Sequence, residues 1–222
     1  MPYPFTHTGK VILSGLAKAL SYVCTPVLIP FWACLILFLC SYLRIMPSMY
    51  KIVVLSVVFC FTVLIPACAV YLFGKANVMK RVHRVSPNNR VLSVLLYVIS
   101  YVFCLLLLKR LTIPWYMRGI ILSATLTAVI CLLCNLRWRL SVHMAGMGSV
   151  IAGLVCFGFL FGFNPVYWLC AFILLAGLLG SARMLLVPHS LAEVITGFIV
   201  GMGCTLLILD TSFNFLFRIF LI

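Results

Sequence analysis

Long apolar runs are the feature that most constrains the fold of this chain. Runs of roughly 18 or more apolar residues recur along its 222 residues, and each is long enough to cross a hydrocarbon core of ~30 Å. Only 8% of the residues are charged, against about 25% in ordinary soluble domains. We therefore predict an all-α membrane protein, a polytopic bundle of six or seven transmembrane helices.

The apolar runs predict the order of the helices. We expect a single domain over 1–222 with a motif-bearing core at about 74–210, and a short amphipathic helix at 10–24. The predicted spans cover about 26–43, 52–73, 91–108, 116–135, 142–161, 165–184 and 191–209. Two spans separate the polar segment 74–90 from 137–143, and two more separate 137–143 from 183–190. All three polar segments are therefore expected on one face of the membrane.

These three polar segments collect most of the titratable side chains. They contain His83, His143 and His189, three of the four histidines, and Glu193, one of only two acidic residues, follows the last segment. Arg90 and Arg183 lie at their edges. An ionisable residue at membrane depth costs about 2.5–3.5 kcal/mol on insertion scales, so such residues mark functional sites by default.

The net charge of +14 does not by itself indicate a function. Basic loops orient membrane helices and contact anionic lipid headgroups. The basic residues lie in short loops between spans, which argues against a nucleic-acid partner. The pair Cys131-x-x-Cys134 falls inside a predicted span, so we expect two small buried hydrophobes there rather than a zinc site or a disulfide.

Histidine, arginine and a carboxylate on one face favour phosphoryl transfer. The planar guanidinium matches phosphate oxygens, and a neutral histidine can act as a nucleophile or exchange a proton near pH 7. A carboxylate behind a histidine fixes its tautomer and stabilises its cation. Simpler structural explanations also exist, because Ser190-x-x-Glu193 predicts a helix capping box and Arg183 could end a span by snorkelling. Gly146, Gly148 and Gly153 predict close helix packing.

The order and spacing of these residues resemble the type 2 phosphatidic acid phosphatase superfamily of integral-membrane lipid phosphatases. That family carries K-x6-R-P, then P-S-G-H, then S-R-x5-H-x3-D. Here ARMLLVPHSLAE reproduces the third spacing with Arg183, His189 and Glu193, and LSVH matches the second at Ser141 and His143. In HRVSPNNR, His83 stands at the Lys position and Arg90 at the Arg position. The resemblance covers about 83–201 and implies the family's helical fold.

The resemblance implies a catalytic role for three residues. His189 would attack phosphorus and form a phosphohistidine, and Glu193 would orient it from the position of the family's Asp. His143 would protonate the leaving oxygen and later activate water. The family works without a metal or another cofactor, and the same is expected here.

The resemblance also implies which residues bind the phosphate. Arg183 and Arg90 would hold its oxygens, and Ser141 would add a donor. The missing motif Lys leaves three candidates for its place, His83, Lys80 or Arg84. Other motif positions also differ, since Leu140 and Val142 replace Pro and Gly, and Ala182 replaces Ser.

The implied substrate is a lipid phosphate, with a phospholipid, a polyprenyl diphosphate and a lipid A type phosphate all compatible. Membrane lipids are the expected partners, and the oligomeric state stays open. Bacterial family members usually face the site outward, so we expect an inner-membrane protein with a periplasmic site, although the Lys and Arg count favours the cytoplasm for this face. Three alternatives stay open: an inactive lipid-binding member of the fold, a transporter, or a haem carrier using His143 and His189.

Overall fold

The computed structural model describes residues 7–40, 42–75, 87–135, 137–186 and 190–210, and all regular structure within these ranges is helical. The all-α prediction is therefore confirmed for this part of the chain. The helices are α1 (His7–Val23), α2 (Ile29–Cys40), α3 (Ser48–Phe59), α4 (Ile65–Lys75), α5 (Pro87–Arg110), α6 (Trp115–Asn135), α7 (Val142–Phe161), α8 (Val166–Leu186) and α9 (Leu191–Leu209). A 3-10 turn (Tyr42–Ile45) follows α2, and a π turn (Cys60–Leu64) joins α3 to α4.

Five helical segments in the described ranges are long and apolar enough to cross a membrane, which indicates a membrane protein. They are Ser48–Ala69, Trp115–Asn135, Val142–Phe161, Val166–Leu186 and Leu191–Leu209. Each overlaps a predicted span. The predicted total of six or seven crossings is not confirmed.

The first predicted span, 26–43, forms a shorter helix than expected. Helix α2 has 12 residues and is therefore only ~18 Å long, less than a hydrocarbon core. Pro26 precedes it, and the 3-10 turn at Tyr42–Ile45 follows it before Pro47. Pro30 is the second residue of α2, and proline is favoured in the first turn of a helix, where its missing N–H costs no intrahelical bond. This proline is therefore consistent with a helix start at Ile29 although the run stays apolar.

Helices α7 and α9 run parallel and touch through their backbones. A Cβ atom at Gly197 would lie 2.6 Å from the carbonyl oxygen of Ser141, and one at Gly201 would collide with the carbonyl oxygen of Ala145. Gly148 makes the reciprocal contact with the backbone of Phe198. Ser149 Oγ donates to the carbonyl oxygen of Gly201 at 3.0 Å. Small residues permit this approach, as in many pairs of membrane helices.

Helices α6 and α8 run antiparallel to this pair. A Cβ at Gly119, near the start of α6, would lie 2.7 Å from the side chain of Leu209 at the end of α9. Gly180 of α8 lies opposite Val194 and Met144, at hypothetical Cβ distances of 3.4 and 3.7 Å. The ends of α6 and α8 therefore meet the starts of α7 and α9 on one side of the bundle. We call this side the motif rim; Asn135, Ser141, Arg183 and Ser190 mark it.

The π turn connects the first helices to α5. Ser100 Oγ of α5 donates to the carbonyl oxygen of Phe61, which lies inside the π turn. A π turn shifts the usual hydrogen-bond ladder and leaves carbonyl groups available to other partners. Below this contact, on the side away from the motif rim, Cys104 and Leu108 of α5 are completely buried in the core.

Candidate functional site

Ser141 lies at the centre of the motif rim and is almost fully buried. It is the N-cap residue of α7 with an extended backbone (φ −80°, ψ 100°), and its carbonyl oxygen accepts from the N–H groups of Met144 and Ala145 at 3.1 Å each. Its side chain makes no capping hydrogen bond, although serine caps usually do. The residue is 1% exposed, and Oγ has no hydrogen-bond partner within the described part of the chain.

Burial of the Ser141 hydroxyl without a partner lowers the stability of the ligand-free protein. A buried polar group without a partner costs about 1–3 kcal/mol, and native structures contain few of them. Within the described ranges the hydroxyls of Ser21, Thr127 and Thr205 also lack a partner, whereas Ser123 Oγ and Thr125 Oγ1 of α6 donate to backbone carbonyl oxygens at 2.9 and 2.7 Å. Ser141 differs from the other three in its position on the motif rim beside Glu193.

The structure joins the second and third motifs directly. The backbone N–H of Ser141 donates to the carbonyl oxygen of Glu193 at 3.3 Å. One turn further along α9, Gly197 lies against the Ser141 carbonyl. The sequence places these residues far apart, and the α7–α9 contact brings them to one place.

Glu193 forms the predicted capping box. Its backbone N–H donates to Ser190 Oγ at 3.3 Å, and its Oε2 accepts from the Ser190 backbone N–H at 3.1 Å. This confirms the structural prediction for Ser190-x-x-Glu193. The predicted contact between Glu193 and His189 lies outside the described residues.

Arg183 lies in the last turn of α8, one turn beyond Gly180 and towards the rim. Because Gly180 is level with Met144 and Val194, Arg183 is close to the level at which α7 and α9 begin. Its side chain is half-buried, and its Nε is inaccessible to solvent and has no hydrogen-bond partner among the residues that the structure describes. Arg137 and Arg139, in the turn between α6 and α7, are exposed.

His143 is the second residue of α7 and is half-buried, two residues after Ser141. His83 and His189 lie outside the described residues. Arg90 lies in the first turn of α5, but its side chain belongs to the part that is not described. Val94, one turn along from Arg90, lines a cavity together with the rim residues Asn135 and Val142, so the start of α5 is directed towards the same rim.

The motif rim has the chemistry of an anion site. The first N–H groups of a helix have no partner within the helix, and the dipole adds partial positive charge there. At the start of α9 the capping box already occupies the N–H groups of Ser190 and Glu193 and adds a carboxylate, whereas α7 has no side-chain cap. The start of α7 therefore offers the donors, and Arg183 adds a full positive charge. Phosphate binds well at such helix starts, especially beside an arginine.

A cavity of about 240 Å³ extends from the rim into the bundle between α2, α5, α6 and α7. A smaller one of about 50 Å³ continues it, and the two share Ile29, Pro30, Ala124 and Ser149 in their walls. We call the two together the inner cavity. The sequence does not predict this cavity, because such space depends on which helices become neighbours.

Two residues of the α7–α9 contact, Gly197 and Gly201, were not predicted from the sequence. Gly197-x-x-x-Gly201 is the small-residue spacing typical of closely packed membrane helices, and it was a usable signal. Of the three glycines that were predicted to allow close packing, Gly146 and Gly148 do so, against Ile29 and the Phe198 backbone. Gly153 makes only ordinary contacts at 3.9 Å or more.

Comparisons with protein-family models, curated proteins and solved structures found no match. A functional assignment therefore depends on the residues and contacts of the motif rim.

Proposed function

We propose that the protein is a lipid phosphate phosphatase or diphosphatase. One observation carries the proposal: the buried atoms Ser141 Oγ and Arg183 Nε, without partners in the described ranges, lie at the rim where α7 and α9 begin. A phosphate group there would accept hydrogen bonds from both. Hydrogen bonds to a charged group such as phosphate contribute about 1.5–3 kcal/mol each.

In the proposed mechanism, a neutral His189 nitrogen forms a bond to phosphorus while the bond to the leaving oxygen breaks. His143 gives its proton to that oxygen, so the lipid leaves as an alcohol or a monophosphate. His143 then takes a proton from water, the resulting hydroxide attacks the phosphohistidine, and inorganic phosphate leaves with His189 neutral again. Glu193 would stabilise the positive charge on His189 during both steps.

The other proposed phosphate-binding residues have side chains outside the described part of the structure. Arg90 would bind a phosphate oxygen from the start of α5, and His83, Lys80 or Arg84 would occupy the place of the family's lysine. We further propose that α5, with 24 residues, is a sixth crossing. With that crossing, the segments that carry all these residues share one face, which we propose is periplasmic.

Phosphate release by purified protein tests the proposal. We would offer phosphatidic acid, phosphatidylglycerol phosphate, undecaprenyl diphosphate and a lipid A phosphate to the wild type and to His189→Ala. We expect release from at least one lipid, inhibition by vanadate, and a loss of roughly 100-fold or more in the variant. His7→Ala, a substitution of the one histidine outside the motifs, is the matched control and should keep full activity.

Arg183→Ala provides an independent arm of this experiment. Loss of a charged phosphate contact should lower kcat/KM by roughly 10- to 100-fold. The exposed Arg139 provides the matched control, and Arg139→Ala should have little effect. Equal release by His189→Ala and wild type, or activity that disappears with a chelator and returns with Mg²⁺, would contradict the mechanism.

One observation favours a second candidate, a lipid-binding protein of this type without catalysis. The Glu193 carboxylate accepts from the Ser190 backbone N–H, so it has a structural role that needs no catalytic partner. The motif lysine is also absent. This candidate predicts saturable binding of a lipid phosphate with no phosphate release by any of the variants.

A further inference from the structure

The inner cavity has a position and a lining that suit a hydrocarbon chain. Asn135, the last residue of α6, and Val142, the first residue of α7, lie on the motif rim and also line this cavity. The rest of its wall is mostly aliphatic or aromatic, with Pro30, Val94, Tyr97 and Leu132 as examples. The wall hydroxyl of Ser123 donates to its own helix and that of Ser149 to α9. Those of Thr127 and Thr205 have no partner within the described ranges, so the mostly apolar wall carries two isolated polar groups.

The length of the cavity matches a lipid tail. Along α7 its wall runs from Val142 at the rim to Phe157, a rise of ~22 Å at 1.5 Å per residue. One leaflet of a bilayer provides ~15 Å of hydrocarbon, half of the core. The cavity can therefore accompany one tail of ordinary length from the headgroup inwards. At its far end, Phe157, Phe163 and Leu209 form the wall of the narrower part.

We propose that the inner cavity binds one hydrocarbon tail of the lipid whose phosphate occupies the motif rim, and that its narrow end limits the length of that tail. The identity of the headgroup in this inference rests on the proposed function. Any second tail of the same lipid would remain outside the bundle. The protein would thus select its substrate by one chain.

A second groove is an alternative binding place for the lipid tail. Between α7, α8 and α9 lies a more open cleft of about 300 Å³, lined by Met144, Gly177, Met184 and Val194 among others. It also begins near Arg183. The enclosed space between α2 and α6 surrounds a chain on more sides, and burial of apolar surface is the main source of affinity for a hydrocarbon.

Matched substitutions distinguish the two spaces. Ala128→Phe fills the wider part of the inner cavity, Gly177→Phe fills the outer cleft, and Ala67→Phe makes a similar change at an exposed position of α4. We expect Ala128→Phe to lower kcat/KM for a long-chain lipid phosphate at least tenfold. It should leave hydrolysis of water-soluble phenyl phosphate unchanged, and the other two variants should resemble the wild type with both substrates. A selective loss in Gly177→Phe instead would overturn the proposal.

A labelling experiment tests the tail site without the cavity variants. Its result does not require that those variants fold or that the protein is catalytically active. A lipid phosphate that carries a diazirine at the end of its tail is bound to the wild type and to His189→Ala. The complexes are irradiated, and the labelled residues are mapped. We expect labels near Gly153 and Phe157. Labels on α8, or labels that are not displaced by excess unmodified lipid, contradict the tail site. Cavity labelling without phosphate release from any lipid leaves the tail site intact and rejects the phosphatase proposal.

Discussion

The bundle packs differently on the two sides of α7. Towards α9, Gly197 and Gly201 let backbone touch backbone, and a single added carbon atom has no room. Towards α2 and α6, small residues such as Ala124 and Gly153 leave the inner cavity. The close contact holds Ser141 and Glu193 at fixed positions at the rim, whereas the looser side has space for a ligand. Under the two proposals above, a rigid headgroup site and an adaptable tail site share one helix.

Gly201→Val should disrupt the close α7–α9 contact and produce the largest loss of unfolding free energy. Its side chain would collide with the Ala145 backbone, which cannot move aside as a flexible side chain could. We expect a loss of about 3 kcal/mol or more in unfolding free energy. In a chain of this size that corresponds to a fall of roughly 6–12 °C in Tm, measured by thermal unfolding in detergent.

The matched control is Gly203→Val. No atom lies within 4 Å of a Cβ built at Gly203, so the same residue change two positions away meets open space. Its Tm should stay within about 4 °C of the wild type, since only helix propensity and surface change. Similar losses in both variants would show that the α7–α9 contact is not the cause.

Glu193→Gln separates the capping role of Glu193 from its proposed catalytic role. Glutamine at this position also completes a capping box, so the unfolding free energy should change by less than about 0.5 kcal/mol. The negative charge is lost, and phosphate release should fall by at least about tenfold because the His189 cation loses its counter-charge. Unchanged activity would limit Glu193 to its cap.

Ala124→Leu tests the loose side. Ala124 lines both parts of the inner cavity, so its added carbon atoms enter existing space. We expect a change of no more than about 1 kcal/mol in unfolding free energy, in contrast to Gly201→Val. A loss as large as that of Gly201→Val would show that the two sides are equally tight.

Ser141→Ala should give the smallest change in unfolding free energy, and the change should be neutral or stabilising, whereas most substitutions of buried residues destabilise. Removing a buried hydroxyl without a partner should leave the ligand-free protein unchanged or more stable by up to about 1 kcal/mol. Ser123→Ala removes a hydroxyl that donates to Ile120 and should cost about 0.5–1.5 kcal/mol. A loss in Ser141→Ala as large as in Ser123→Ala would assign the Ser141 hydroxyl a structural partner.

Much of the fold follows from local patterns in the sequence. Continuous apolar runs predict the segment Ser48–Ala69 and helices α6 to α9, because a bilayer demands length and apolarity and little else. Ser190 and Glu193 predict their own capping box because its contacts span only one turn. Counting spans between polar segments also predicted that Ser141, Arg183 and Glu193 lie on one side, and the helix contacts agree.

The parts that were not predicted depend on distant neighbours. The apolar run at 26–43 has the composition of a span, yet α2 covers only 12 residues of it and a 3-10 turn at Tyr42–Ile45 follows. The inner cavity arises because α2, α5 and α6 do not fill the space beside α7. The burial of the Ser141 hydroxyl likewise requires α9 to cover it. Periodicity and spacing carry no information on either.

The hydrogen bond from Ser100 to the π turn at Phe61 has a mechanical consequence for α5. On its rim side Val94 and Tyr97 line the inner cavity, and on its other side Cys104 and Leu108 lie in the core, while Tyr101 belongs to both. Polar bonds between helices are stable in a medium that offers no competing water. Ser100 therefore fixes the middle of α5 against the π turn, so the wall of the inner cavity on this side is held by a polar bond as well as by apolar packing.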